Sequence, residues 1–223
     1  MEFMEIKFIA SWFTLLPIDT LIKFLAASLL LAIAPGPDNI FVLTQSALYG
    51  CFAGIAVVMG LCTGVFVHTS AVALGVAVIF QSSELAFSVL KLVGAGYLAY
   101  LAFLAFKAPV SEIPNGRSNG ESDLWLLYRR GIIMNVTNPK VSIFFLAFLP
   151  QFADPARGSI SIQIFLLGAL FSLSTILVFG LIAFLSGKLG QTLKGSALTQ
   201  KILNKIAGAV FLGLAIKLIT ANR

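Results

Sequence analysis

The stretch Leu29-Leu30-Leu31-Ala32-Ile33-Ala34-Pro35-Gly36-Pro37-Asp38-Asn39-Ile40-Phe41-Val42 decides how this chain is read. An apolar run suited to a helix meets two prolines around a glycine, then an acid and an amide, and turns apolar again. Pro35 and Pro37 remove two backbone donors and Gly36 adds conformational freedom, so a helix must open here. At membrane depth, freed carbonyl and amide groups survive only inside protein or against a water-filled cavity. An ionisable residue within a span is a functional candidate by default, because its burial costs several kcal/mol. A kink with packing value alone, with Asp38 at the interface in water, is the simpler reading of the same residues.

Composition places the stretch in a membrane. The chain has 223 residues, 59% of them hydrophobic and 11% charged, with a mean hydropathy of +0.99. A soluble domain carries about 25% charged residues, and a disordered chain needs low hydrophobicity, so both classes are excluded. At about 20 residues per transmembrane helix, the length allows roughly six or seven spans. The net charge of +6 is assigned to cytoplasmic loops that orient the spans. No basic stretch carries interleaved aromatics in a polar setting, which excludes nucleic acid as a partner.

Apolar runs and polar breaks predict six spans. The first runs from Ile18 to Ala34, with an apolar continuation to Tyr49 beyond the break. The second covers Phe52–Phe80 and the third Leu85–Phe106. Residues 108–128 read as a polar cytoplasmic loop. The fourth span opens at Arg129-Arg130-Gly131, is interrupted at Asn138-Pro139-Lys140, continues to Phe148 and stops at Pro150. The fifth covers Ile160–Leu185 and the sixth Ile202–Thr220. Lys7 is the only basic residue before the first run, and Pro35 directly follows Ala32-Ile33-Ala34. Both features oppose a cleaved signal peptide, so the first run is expected to be a retained span. Basic residues in the 3–4 and 5–6 connections place those loops in the cytoplasm and both termini outside.

The two halves resemble each other. Lys91-Leu92-Val93-Gly94-Ala95-Gly96-Tyr97-Leu98 aligns with Lys205-Ile206-Ala207-Gly208-Ala209-Val210-Phe211-Leu212. At an offset of 102 (139 minus 37), Pro37 falls on Pro139, Asp38 on Lys140 and Gly36 on Asn138. Three spans per half is an odd number, so the halves must insert with opposite topology. The predicted fold is therefore all-α and integral to the membrane. Six helices form two inverted three-helix repeats, 1–107 and 129–223, with the first helix of each broken at Pro. Repeats of this kind, with interrupted helices in corresponding positions, point to a secondary transporter with a midplane site.

The candidate site follows from the breaks. Asp38 and Lys140 are expected to approach across the pseudo-twofold axis and partly neutralise each other. A zwitterion inserted between them would turn its ammonium to Asp38 and its carboxylate to Lys140, aided by the helix N-termini at the breaks. Asp38 also suits a proton carrier. Asn39, Thr44 and Gln45 follow the first break, and Asn135, Thr137, Asn138 and Gln151 surround the second. Such groups either bind substrate or cap the broken helices. His68 relays protons or makes a single hydrogen bond to a carbonyl. Gly60 and Gly64 have the spacing of a close helix contact. Cys51 and Cys62 share one predicted helix about 16 Å apart, beyond the reach of a disulfide. That spacing argues against a redox carrier. No phosphate loop, metal cluster or catalytic constellation is visible, so no cofactor is expected and an enzyme is excluded. A metal carrier and a non-transporting scaffold remain as rivals.

On Ala34-Pro35-Gly36-Pro37-Asp38, Asn138-Pro139-Lys140 and Phe148-Leu149-Pro150-Gln151-Phe152, the whole chain resembles the LysE/RhtB family of bacterial amino-acid exporters. The resemblance implies a multi-pass inner-membrane protein that exports an amino acid or related metabolite on the proton-motive force, with homodimers common. The motifs do not define the substrate. The absence of a strong acidic cluster near the core favours a neutral amino acid over a dibasic one.

Overall fold

The computed structural model describes residues 15–82, 84–108, 122–189 and 197–220, and every regular element among them is helical. The long elements are α1 (Ile18–Ile33), α2 (Pro37–Tyr49), α3 (Cys51–Ser82), α4 (Glu84–Lys107), α5 (Leu124–Thr137), α6 (Pro139–Ile143), α7 (Ile160–Leu189) and α8 (Ala197–Thr220). A π-helical turn, Phe144–Phe148, and a 3-10 turn, Leu149–Phe152, carry the chain on from α6.

Both breaks are present, and both are sharp. α1 and α2 meet at 61°, and α5 and the Pro139–Phe152 segment meet at 51°. The cause is local. The residue before a proline is pushed out of the helical region, and Gly36 (φ −169°) and Asn138 (ψ 108°) are both extended. Each proline then opens the next helix at a position whose N–H would have no partner anyway. Gly36 and Asn138 are therefore N-caps, Pro37 and Pro139 the first helical residues, and Asp38 and Lys140 the second.

Two sequence expectations change. Pro150 does not end the fourth segment, because it stands at the start of a 3-10 turn, where its missing donor costs nothing, and helical structure persists to Phe152. The 108–128 segment is not polar loop to its end. The Asp123 side chain accepts from Leu126 N at 3.0 Å and starts α5 at Leu124. Residues 109–121 of that segment lie outside the described residues, as do the N-terminal stretch with Lys7 and the 190–196 connection.

Among the described residues, two helices are long and apolar enough to cross a membrane, Cys51–Gly75 within α3 and Ile160–Ser186 within α7. Each bent pair counted as one span brings the number to four. The outward faces are apolar, as at Phe52 (81% exposed) and Leu74 (75% exposed). Large exposed apolar surface of this kind suits lipid rather than water.

Small residues set the helix contacts. A Cβ on Gly60 would overlap the Tyr128 carbonyl oxygen, and one on Gly131 would meet the Val57 carbonyl. α3 and α5 thus touch backbone to backbone. Gly64 faces Asn135 in the same seam. α3 also packs on α7, and α4 on α8, while α1 and α2 lie against α7. Cys51 and Cys62 are both free on α3.

Candidate functional site

The two breaks face each other across a buried network. Asp38, Asn135, Asn138 and Lys140 are all nearly inaccessible, at 2%, 2%, 3% and 6% exposure. Asn138 is the hub. Its Oδ1 accepts from the Lys140 backbone N at 3.0 Å, which caps α6. Its Nδ2 donates to Asp38 Oδ2 at 2.9 Å, across 100 residues of chain. One amide therefore joins the second helix break to the first.

Lys140 does not meet Asp38. Its Nζ donates to the carbonyl oxygens of Leu31 at 3.2 Å and Ala34 at 3.0 Å. The end of α1 leaves carbonyls that no helical N–H can reach, and the ammonium takes two of them. Asn39 takes a third, its Nδ2 donating to Ala32 O at 2.8 Å. Among the described residues, Asp38 and Lys140 thus form no contact ion pair. The ammonium sits at the negative end of α1 and the carboxylate at the positive end of α2. Each buried charge is held by a helix terminus and by side-chain or backbone dipoles, with Asn138 between them.

Gly36 contributes space rather than conformation. Its backbone is extended, which any residue adopts, but a Cβ there would stand 3.1 Å from Lys140 Nζ. The expectation that Gly36 is needed for backbone freedom is corrected accordingly. Pro35 and Pro37 flank it, and Pro37 and Pro139 turn outward.

Among the described residues, three buried acceptors find no donor: Asp38 Oδ1, Asn39 Oδ1 and Asn135 Oδ1. Buried polar atoms are nearly always bonded, and an exception asks for an explanation. All three belong to the residues around the breaks. Lys140, with two of its three N–H groups engaged, retains one donor. The arrangement therefore offers spare acceptors around a carboxylate and a spare charged donor close by.

The remaining expected residues fall apart from this centre. Gln45 lies two turns along α2 from Asp38, on the same face and about 10 Å away. His68, on α3, has Nε2 at 3.2 Å from the carbonyl oxygen of Asn135, and that oxygen also accepts from Asn138 N at 3.1 Å. Its ring lies 5.7 Å from that of Phe145. It is thus tied to the network through backbone, two steps from Asp38. Thr137 bonds back to Ile133 O at 2.7 Å, and Gln151 to Ala147 O at 3.4 Å. Asn135 was legible in the sequence only as one polar group near the second break. Its place one turn before Asn138 was the available signal.

Known proteins bear on the reading at this point. The sequence profile described as LysE type translocator matches residues 29–222. The homoserine/homoserine lactone efflux protein of Salmonella typhimurium is 32% identical over 193 residues, covering 85% of this chain and 90% of that protein. An uncharacterized membrane protein of Vibrio cholerae is 28% identical over 204 residues, 90% of this chain and 97% of its own length. The uncharacterized membrane protein YrhP of Bacillus subtilis is 28% identical over 206 residues, 89% of this chain and 97% of its length. No solved structure matches the chain.

Proposed function

Because the chain belongs to the LysE type translocator family, transporters rather than enzymes, we propose that it exports a small neutral amino acid of the homoserine kind, with Asp38 and Lys140 as its binding pair. It is a multi-pass membrane protein, and the inner membrane of a bacterium is the proposed location. The ammonium of the substrate turns to Asp38 and the nearby spare acceptors. The carboxylate turns to the remaining donor of Lys140.

The observation that carries this reading is Asp38 Oδ1, buried and without a donor among the described residues, beside a break whose ammonium is held on carbonyls rather than on the acid. A buried carboxylate satisfied on one oxygen alone is costly, and a bound ammonium supplies the missing bonds. The name of the Salmonella relative fits the same chemistry. Homoserine has an ammonium and a carboxylate. Its lactone keeps the ammonium but has lost the carboxylate, so Asp38 is the determinant common to both.

The transport cycle is alternating access between two inverted three-helix repeats, with α4 and α8 as the third span of each. It is supported by the matching breaks, each an extended residue followed by a proline that opens the next helix, and by the pairing of α3 with α7 and α4 with α8. Protons drive it, with Asp38 as the carrier. Homoserine efflux from proteoliposomes tests the reading: Asp38→Asn is expected to abolish it and Lys140→Ala to cripple it. Near-normal efflux by both, at normal expression, overturns it.

A further inference from the structure

A polar cavity of about 400 Å³ opens beside the start of α1, the 151–157 turns and the end of α8. Its charged walls are Asp19, Lys23, Asp154, Arg157 and Lys217. Both carboxylates are already taken: Lys23 Nζ lies 2.9 Å from Asp19 Oδ2, and Arg157 Nε 3.3 Å from Asp154 Oδ2. Lys217 makes no ion pair among the described residues. Its Nζ stands over the ring of Phe152, 4.6 Å from the centroid, and 5.6 Å from that of Phe148. The cavity therefore carries one spare cation, held on its aromatic floor.

That floor continues inward. Phe152 packs on Phe24 and on Phe148, each with centroids 5.1 Å apart. Phe148 packs on Phe144 at 5.0 Å, and Phe144 on Phe24 at 6.0 Å. Phe24 lies two turns of α1, about 10 Å, before Leu31, whose carbonyl holds Lys140. Four rings thus fill the distance between the cavity and the buried pair. Three of them sit on the π-helical and 3-10 turns, the one part of this span that departs from α geometry. π-turns recur at functional sites, and here an i→i+5 bond from Leu149 N to Phe144 O takes the place of the α-helical ladder.

We propose that this cavity is an outer subsite that takes the carboxylate of the exported molecule on Lys217, and that Phe24, Phe144, Phe148 and Phe152 form the gate between it and Asp38–Lys140. The inference rests on the reading of that pair as the transport site. Substrate leaving the pair passes the gate as the Phe144–Phe152 turns shift, and its carboxylate finds Lys217, which has no ion-pair partner among the described residues.

Two measurements on the full chain test it. The first needs no substrate. Ser28, fully buried one turn inward of Phe24, is replaced by cysteine in a Cys51→Ser, Cys62→Ser background and exposed to a membrane-impermeant thiol reagent from the cavity side. Labelling is expected to be slow. It should rise by an order of magnitude when Phe148 and Phe152 are both alanine, and by less in the better-packed Phe152→Leu. Unchanged rates in both variants overturn the gate. The second is homoserine exchange measured from the cavity face. Lys217→Met is expected to raise KM about tenfold at unchanged kcat, the loss of one hydrogen bond to a charged group, with Lys217→Arg restoring it. An unchanged KM overturns the subsite. A wild-type chain that carries no homoserine counts instead against the binding pair, while the labelling result still decides the gate.

Discussion

Asn138 Nδ2 donates to Asp38 Oδ2 at 2.9 Å, so the cap of one broken helix holds the acid of the other. The same side chain closes the first turn of α6 through its Oδ1. Positions that are equivalent in the two halves, Gly36 and Asn138, have thus diverged in task. Gly36 clears room for the Lys140 ammonium, and Asn138 carries the bond between the halves.

Asn138→Ala removes both bonds at once. Loss of an N-cap costs about 1 kcal/mol, and the Asp38 oxygen left without a donor adds about 1–3 kcal/mol. A lower thermal midpoint in detergent and weakened homoserine efflux are expected together. Wild-type values of both would remove Asn138 from its central place.

Lys140→Gln separates the two ends of the substrate. Homoserine, which has a carboxylate, is expected to lose transport strongly, while homoserine lactone loses less. Asp38→Asn is expected to stop both. Parallel losses of both substrates in Lys140→Gln would mean that Lys140 supports the helix break rather than the substrate.

Gly36→Ala tests the space beside the ammonium. The extended backbone accepts alanine without strain, so stability should be kept. The new Cβ pushes Lys140 Nζ from its place 3.1 Å away, and homoserine KM rises, though less than in Lys140→Gln. An unchanged KM would show that the ammonium has slack.

His68→Gln distinguishes a proton relay from a hydrogen bond. A glutamine amide can donate to the Asn135 carbonyl but cannot carry a proton. The bond observed at 3.2 Å predicts efflux close to wild type and an unaltered pH profile. His68→Leu removes the ring donor, leaves the Asn135 carbonyl with its Asn138 N–H bond alone, and should cost about 1 kcal/mol of stability. A pH profile that flattens in His68→Gln would restore the relay.

Gly60→Val tests the α3–α5 seam. Its side chain would collide with the Tyr128 carbonyl and the Gly131 backbone, and overpacking of this kind costs about 1–3 kcal/mol. A clear fall in thermal midpoint is expected, whereas Gly75→Val, with open space around it among the described residues, should leave the midpoint unchanged.

The sequence by itself determined the class and the places of the breaks. Composition demands an apolar environment, and proline has no N–H wherever it stands, so Pro37 and Pro139 open new helices in any fold. The two ionisable residues behind them were visible for the same reason: charge is scarce in this chain and therefore conspicuous. Tertiary structure alone decided what those charges touch. Lys140 reaches carbonyls of α1, more than a hundred positions earlier in the chain, and Asp38 is held by an amide from the other break. Such bonds depend on where two bent segments cross, and local propensity carries no record of that crossing. The π-turn at Phe144–Phe148 has the same origin. A run of apolar residues is equally good α-helix on its own, and only its packing against α1, α4 and α7 sets the wider turn that brings Phe144 onto Phe24 and Phe148 onto Phe144 and Phe152.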